Sequence, residues 1–189
     1  MVYLISGRQN IRLKSQMKSI IKKSIKEIDE MNYVKHDATY VLAQEIVDDA
    51  NSLPLGYDHK AVIVDNCYFL LKERSKVKIE GDQDYKKLIE YIKHPDDMTD
   101  LIFLVNTSES EIDKKNEVFQ TIEKFGQIIT LTEPKENEWH QVVAHYFKEK
   151  WPNTKIDSDA IYELARRTEG DYASLFNNGS KLALYTDHI

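Results

Sequence analysis

The sequence predicts an α/β domain, built on a parallel sheet with helices on both faces, followed by a small domain of three helices. Two patterns predict this fold class. Up to Leu131, short apolar runs rich in β-branched residues alternate with segments whose apolar residues recur at helical spacing, which is typical of parallel sheets buried on both faces. After Glu133-Pro134 only the helical spacing remains. We therefore place an α/β domain at residues 1–134 and a three-helix domain at residues 135–189.

Five strands are predicted, four from apolar runs and the second from a weaker pattern: Val2–Ile5, Tyr33–His36, Ala61–Val64, Leu101–Val105 and Ile128–Leu131. The first helix follows Gly7 and is predicted from apolar residues at helical spacing: Met17, Ile20, Ile21, Ile25 and Ile28. The other helices of this domain are predicted at Thr39–Asp49, Asp82–Ile92 and Glu111–Lys124, and Gly126 ends the last of them.

The three later helices are predicted at Glu138–Lys150, Asp157–Arg167 and Asp171–Tyr185. Asp157 and Asp171 stand where the second and third of these helices begin, and short polar residues are favoured at such N-caps. Gly179 lies inside the third helix, where glycine costs about 1 kcal/mol relative to alanine. We therefore expect that helix to be frayed or kinked.

Composition restricts the classes of function. Lys and Arg number 26 and Asp and Glu number 32, so the net charge of −6 argues against a dedicated nucleic-acid-binding protein. The uncharged apolar runs are far shorter than the ~18 residues that cross a bilayer, and we expect no secretory signal, because Met1–Gly7 has no basic region ahead of a long apolar core. Cys67 is alone, and His140 and His145 are not spaced as helical zinc ligands. We expect a cytoplasmic protein with no membrane contact, metal or cofactor.

Four lysines recur at every fourth position along the first helix: Lys14, Lys18, Lys22 and Lys26. Residues at this spacing share one face of a helix, and that face is opposite the apolar one. A solvated polar face is the simplest interpretation. Weak, non-specific contact with DNA phosphates is the alternative, because such contacts are made by lysine and arginine.

The connection after the first strand is the place where a nucleotide-binding protein carries its phosphate loop, G-x-x-x-x-G-K-[ST]. Counted from Gly7, Arg12 replaces the second glycine and Leu13 replaces the lysine, while Lys14-Ser15 stands one residue out of register. A long side chain at position 12 obstructs the close approach of backbone to phosphate that glycine allows. We do not expect ATP to bind here.

Two predicted strands end in polar residues that fit a degenerate form of the same site. Asp65 follows the third strand, at the place of a magnesium-holding Asp, but the next residue is Asn66, which cannot act as a base. Asn106 follows the fourth strand, where a γ-phosphate sensor would stand. The simpler interpretation is that Asp65 and Asn106 cap strand ends. The candidate degenerate nucleotide site is Gly7, Arg12, Lys14, Ser15, Asp65 and Asn106.

The segment before the third strand mixes turn formers with large apolar residues: Leu53, Pro54, Leu55, Gly56 and Tyr57. An apolar loop tip of this kind is a candidate binding surface, because a soluble protein has little other reason to expose it. The alternative is that Leu53 and Leu55 fold back under the sheet.

The order and spacing of several segments resemble the delta-subunit family of bacterial DNA polymerase III, a component of its clamp loader. The opening strand ends at Gly7 without a working phosphate loop. The other segments that carry the resemblance are Asn51–Leu55 with Lys60–Asn66, Leu101–Val105 with Lys124-Phe125-Gly126, and Gly170-Asp171-Tyr172 with Lys181–Tyr185. Family members carry a third, helical collar domain, which we expect this chain to lack.

The resemblance implies an AAA+ fold without ATPase activity. It also implies a function, which is to bind the ring-shaped sliding clamp (the beta subunit) and hold it open, beside the gamma/tau and delta-prime subunits. DNA contact would be weak or indirect, and DNA synthesis would belong to the holoenzyme. The family's apolar clamp-binding pair falls at Leu55 and Gly56, supported by Leu53, Pro54 and Tyr57. Because Gly56 has no side chain, we expect Leu55 to act with Leu53 or with Tyr57.

Three other functions are weighed against this one. An active AAA+ ATPase is disfavoured by the altered phosphate loop. A delta-prime subunit would carry a Ser-Arg-Cys arginine finger late in the first domain, and Gln120–Gln127 contains no arginine. A DNA-binding protein would rest on the lysine-rich first helix alone.

Overall fold

The chain divides after Leu131 into two units, a sheet unit and a helical unit, which are described separately. The computed structural model describes residues 1–73 and 83–185. The sheet unit contains β1 Val2–Gly7, α1 Asn10–Ser24, β2 Tyr33–Asp37, α2 Ala43–Asn51, β3 Lys60–Asp65, α3 Lys86–Lys93, β4 Thr99–Val105, α4 Glu117–Phe125 and β5 Gln127–Leu131. The helical unit contains α5 Trp139–Lys150, α6 Ser158–Thr168 and α7 Tyr172–Tyr185.

The five predicted strands form one parallel sheet in the order β2-β3-β4-β1-β5. The central strands β3 and β4 pair in a register that sets Val62 opposite Leu101, and β4 is buried along its whole length. The predicted parallel sheet is therefore confirmed. All five strands point the same way, so the loops that follow β1, β3 and β4 meet at one edge and the loops that precede them meet at the other.

Helices cover both faces of this sheet. Alternate residues of a strand point to opposite faces: Val62 and Val64 pack in a core with α2, α3 and α4, whereas Ile63 packs in a second core with α1. The buried residues of α1 are Leu13, Met17, Ile20 and Ile21. One face of α1 is thus fixed by the sheet, and this leaves its lysines on the outside.

Several helix boundaries differ from the prediction, and local caps explain two of the differences. α1 ends at Ser24, and Ile28 lies beyond it and is exposed. α2 begins at Ala43 rather than Thr39, because Glu45 accepts a hydrogen bond from the Leu42 N–H at 2.8 Å. α4 begins at Glu117 rather than Glu111, because the Asn116 side chain accepts from the N–H groups of Val118 and Phe119. Asp82, the predicted start of α3, lies outside the described residues.

The helical unit packs around aromatic side chains. The Trp139 indole donates to the Thr168 hydroxyl at 3.0 Å, and Asp171 caps α7 as predicted by accepting from the N–H groups of Ala173 and Ser174. The expectation that the helix frays at Gly179 is wrong, since α7 continues through it to Tyr185. A Cβ at position 179 would overlap the Trp151 ring. Glycine is therefore needed here for close packing.

Candidate functional site

The apolar tip lies in the loop between α2 and β3, at the amino-terminal edge of the sheet. Leu53 is 67% exposed and Leu55 is 69% exposed, so the alternative in which they fold under the sheet is wrong. Pro54 between them is buried, and Gly56 turns the chain with a positive φ of 79°, a conformation that favours glycine. Two large aliphatic side chains are thus presented to solvent on a tight turn.

The base of the tip is held by the buried ammonium group of Lys60. Lys60 Nζ donates to the carbonyl oxygens of Asp49 and Ser52 and, at 2.7 Å, to the Ser52 hydroxyl. These acceptors lie at the carboxyl end of α2, where a positive charge is favourable. Burial lowers the pKa of Lys60, while the charges of Asp49 and Asp96 oppose that shift. The last turn of α2 is thereby fixed to the start of β3.

The far end of the tip is held by a second contact, through Tyr57. The Tyr57 hydroxyl donates to Asp29 Oδ2 at 2.7 Å, and Asp29 Oδ1 accepts from the Met31 N–H at 2.6 Å. Both bonds lower the pKa of Asp29, and the bond from the Met31 N–H has the larger effect. Tyr57 is thus bonded to the α1–β2 loop. Among the predicted apolar residues, Leu53 and Leu55 are therefore the pair whose side chains are more available to a partner.

The phosphate-loop position contains almost no loop. β1 ends at Gly7 and α1 begins at Asn10, so that only Arg8 and Gln9 connect them. The N–H groups of Arg12 and Leu13 already bond to the Gln9 carbonyl as part of the helix. Lys14 and Ser15 follow on the exposed face of α1 rather than at its start.

Gly7 itself has a packing role. A Cβ on Gly7 would lie 2.9 Å from Leu131 Cβ, at the end of the neighbouring strand β5, which is closer than real Cβ atoms approach. The sheet alone therefore requires a glycine at this position, whether or not a phosphate binds.

The polar residues at the strand ends have partners within the protein. Asp65 Oδ2 forms an ion pair with Lys35 Nζ at 2.7 Å. The Asn106 amide, with its nitrogen toward the β1–α1 connection, donates to the carbonyls of Arg8 and Gly7 at 2.8 and 3.1 Å. Asn66, at a positive φ of 53°, donates to Asp37 Oδ2 at 2.7 Å. Within residues 1–73 and 83–185, no group of His, Cys, Asp and Glu is arranged to hold a metal ion.

Three of the four predicted lysines share one face of α1. Lys14, Lys18 and Lys22 are exposed, and none of them forms an ion pair with any other residue that the structure describes. Lys26 is also exposed but lies past the end of α1 at Ser24, so it does not belong to that face. Among the helices described, none is long and apolar enough to be a membrane span.

Comparison with known families identifies the family to which the chain belongs. The family described as DNA polymerase III, delta subunit, matches residues 3–132, which is most of the chain and all of the sheet apart from Val2. The chain belongs to the DNA polymerase III delta-subunit family. The resemblance read from the sequence is confirmed.

A curated delta-subunit relative, DNA polymerase III subunit delta of Bacillus subtilis strain 168, is 23% identical over 185 residues. That alignment covers 97% of this chain and 52% of the relative, so the chain spans about half the length of the delta subunit that it matches.

Solved structures show the same fold. The Bacillus subtilis DNA clamp loader delta protein aligns with a TM-score of 0.78 and 21% identity, covering all of this chain and 55% of that one. A Thermotoga maritima protein related to the DNA polymerase III gamma subunit has a TM-score of 0.56 at 16% identity, and a Thermotoga maritima RuvB variant has 0.58 at 14%. They cover 95% and 99% of this chain, and 53% and 57% of their own chains. The delta-subunit chain thus has the AAA+-type fold that its sequence predicts.

Proposed function

We propose that this chain acts in the clamp loader of a bacterial DNA polymerase III by binding the sliding clamp through Leu53 and Leu55 and holding it open. The observation that carries the proposal is the exposure of both leucines on a loop that is held at each end, by Lys60 and by Tyr57. Membership of the delta-subunit family supports the same function. Loading clamps onto the chromosome would take place in the cytoplasm.

The energetics of such a contact favour a small, ordered tip. Burying a leucine side chain in a partner's pocket contributes about 1.5–3 kcal/mol, and a few central anchors carry most of the binding energy of an interface. A loop already held in its bound shape loses less conformational entropy on association. Leu53 and Leu55, separated by the buried Pro54, meet these requirements.

The short β1–α1 connection supports a role without ATP hydrolysis. Phosphate loops bind through backbone N–H groups that face the ligand, and here the N–H groups of Arg12 and Leu13 bond to Gln9 within the helix. Asn106 binds the carbonyls of this connection. We infer that ATP hydrolysis belongs to partner subunits of the gamma/tau type and that a delta-prime subunit completes the assembly.

The decisive experiment compares clamp binding by the wild-type chain and by a Leu53→Ala/Leu55→Ala double variant, using surface plasmon resonance with the cognate sliding clamp. We expect the double variant to bind about 100-fold or more weakly, because two anchors contribute about 3–6 kcal/mol together and each 1.4 kcal/mol is tenfold in affinity.

The matched control is Tyr40→Ala, which truncates a side chain that is 82% exposed at the opposite edge of the sheet. This variant should bind like wild type, and circular dichroism should show that all three proteins are folded. Undiminished binding by the leucine variant would place the clamp contact elsewhere on the chain.

A further inference from the structure

We propose that the α1–β2 loop, residues 25–32, is a second part of the clamp-binding surface, with Ile28 and Met31 as its contact residues. Ile28 is 50% exposed and Met31 is 59% exposed. This inference rests on the clamp binding proposed above and extends it from one loop to two.

The two loops are joined at a single point. The hydrogen bond from Tyr57 to Asp29 links the tip to the α1–β2 loop at 2.7 Å. Ile28 adjoins Asp29, and Met31 and Leu55 each lie two residues from one partner of that bond. Consecutive Cα atoms are 3.8 Å apart, so the Cα atoms of Met31 and Leu55 lie within about 8 Å of those of Asp29 and Tyr57, at the same amino-terminal edge of the sheet. In the proposal the two loops act as one surface.

The α1–β2 loop, like the tip, is held by hydrogen bonds. The buried Asn32 side chain accepts from the Asp29 N–H at 2.9 Å and donates to the Glu27 carbonyl at 2.8 Å, while the Asn32 carbonyl accepts from the Ala61 N–H of β3. The loop is therefore tied both to itself and to the sheet. Its two apolar side chains are exposed by a fixed backbone and not by fraying of α1.

The sliding clamp is the occupant that fits this surface. A stable protein interface takes about 20–30 residues from each partner, and the tip alone offers only a few. Exposed charged groups of both signs, Lys26, Glu27, Glu30 and Asp58, adjoin the apolar residues in the sequence. Their net negative charge disfavours DNA phosphates, and charged groups of this kind are usual in the polar rim of a protein interface. The surface is continuous with Leu53 and Leu55 through Tyr57, so the partner that binds those leucines covers Ile28 and Met31 as well.

The test is an Ile28→Ala/Met31→Ala variant, measured by surface plasmon resonance against the cognate clamp beside the leucine variant and Tyr40→Ala. We expect about tenfold weaker binding or more, arising mainly from faster dissociation, with an unchanged thermal midpoint because both side chains are exposed. Wild-type affinity in this variant, together with lost affinity in the leucine variant, would overturn the inference and leave the proposed function intact. Wild-type affinity in the leucine variant would overturn the proposed function itself.

A second substitution, Met31→Glu, tests the same surface in case the interface tolerates truncation to alanine. It places a charge at an exposed position that the fold accepts, but that charge would be desolvated and unpaired under a bound clamp. We expect it to weaken binding more than the double alanine variant does. Wild-type affinity in Met31→Glu would also overturn the inference.

Discussion

At the scale of single residues, the tip depends on one buried lysine. Lys60 stands at the first position of β3 and sends its ammonium group back to α2, where it binds two carbonyls and a hydroxyl. An apolar residue would fit the strand equally well but would remove the ammonium donor, leaving the Asp49 carbonyl with only the Ser52 N–H and hydroxyl as donors. Hydrogen bonds to a charged group contribute about 1.5–3 kcal/mol.

We therefore expect Lys60→Met to lower the free energy of unfolding by about 1.5–3 kcal/mol, as measured by urea denaturation. The matched control is Lys35→Met, which removes the half-exposed ion pair to Asp65 on the neighbouring strand. Exposed pairs contribute about 0–1 kcal/mol, so the control should change little. Equal decreases in the free energy of unfolding of the two variants would show that the Lys60 contacts stabilise the protein no more than an exposed ion pair does.

Sequence reasoning found the leucines of the tip but not the residues that hold them. Leu53 and Leu55 are marked by their place between turn formers. The hydrogen bond from Tyr57 to Asp29 joins residues 28 apart in the sequence, and no local pattern predicts such a pairing. Lys60 did leave a signal, because a lysine that opens a buried strand needs a partner for its charge.

At the scale of the elements, packing decides where the glycine of α7 stands. Helix propensity alone says that alanine at position 179 would stabilise the protein by about 1 kcal/mol. The Trp151 ring occupies the space that a Cβ at this position would need. Overpacking of a filled core costs about 1–3 kcal/mol, so the steric term exceeds the propensity term.

Gly179→Ala should accordingly destabilise the helical unit, which urea unfolding followed by tryptophan fluorescence would show. Asn177→Ala, an exposed position in the same helix, is the matched control and should stabilise it slightly. A gain in stability from Gly179→Ala would contradict the close packing against Trp151.

The lysine face of α1 gives the second prediction at this scale. Lys14, Lys18 and Lys22 have no ion-pair partner among the described residues, and each lysine on DNA contributes about 0.9 to the slope of log affinity against log salt. If this face lies on DNA, replacing the three lysines by Gln reduces the magnitude of that slope by about 2.7. Fluorescence anisotropy with duplex DNA measures the slope.

A triple Gln variant of Lys86, Lys87 and Lys93 removes the same charge from α3 and serves as the control. Equal effects from the two triple variants would mean that only net charge matters. In that case the lysine face of α1 is a solvated surface, as the simplest interpretation of its sequence holds.

Element types were more predictable than element ends. The interior strands β1, β3 and β4 were recognisable because apolar runs buried on both faces leave a strong pattern, whereas the edge strand β2 left only a weak one. Helix starts were missed where one side chain decides them, as Glu45 does for α2 and Asn116 does for α4. Asn116 is a favoured N-cap residue, so this signal was available in the sequence. The shortness of the two-residue β1–α1 connection could not be predicted from the sequence, because Arg12 and Leu13 are compatible with either a loop or a helix.

At the scale of the whole molecule, the two units carry separate reporters. Both tryptophans, Trp139 and Trp151, belong to the helical unit, whereas the single cysteine, Cys67, belongs to the sheet unit. Cys67 is buried, and its thiol donates to the Val64 carbonyl at 3.2 Å. Burial raises the pKa of this thiol well above its usual value, so little of the reactive thiolate forms.

We expect Cys67 to react with a thiol reagent only as the sheet unit unfolds. The measurement is the rate of labelling across a urea series, set beside circular dichroism and tryptophan fluorescence, with Cys67→Ser as the unlabelled control. Labelling that coincides with the fluorescence transition would show that both units unfold together. Rapid labelling in native buffer would contradict the buried position of the thiol.

The two-residue connection between β1 and α1 also limits what mutation could restore. A phosphate loop places four residues between its glycines, whereas here α1 begins at Asn10, three positions after Gly7. Positions 12 and 13 stand at the spacing from Gly7 that the motif requires, but glycine and lysine placed there would lie inside α1, so the peptide would still lack the loop conformation that encircles a phosphate. Two substitutions alone would therefore not create a phosphate loop, because the first turn of α1 would also have to unwind.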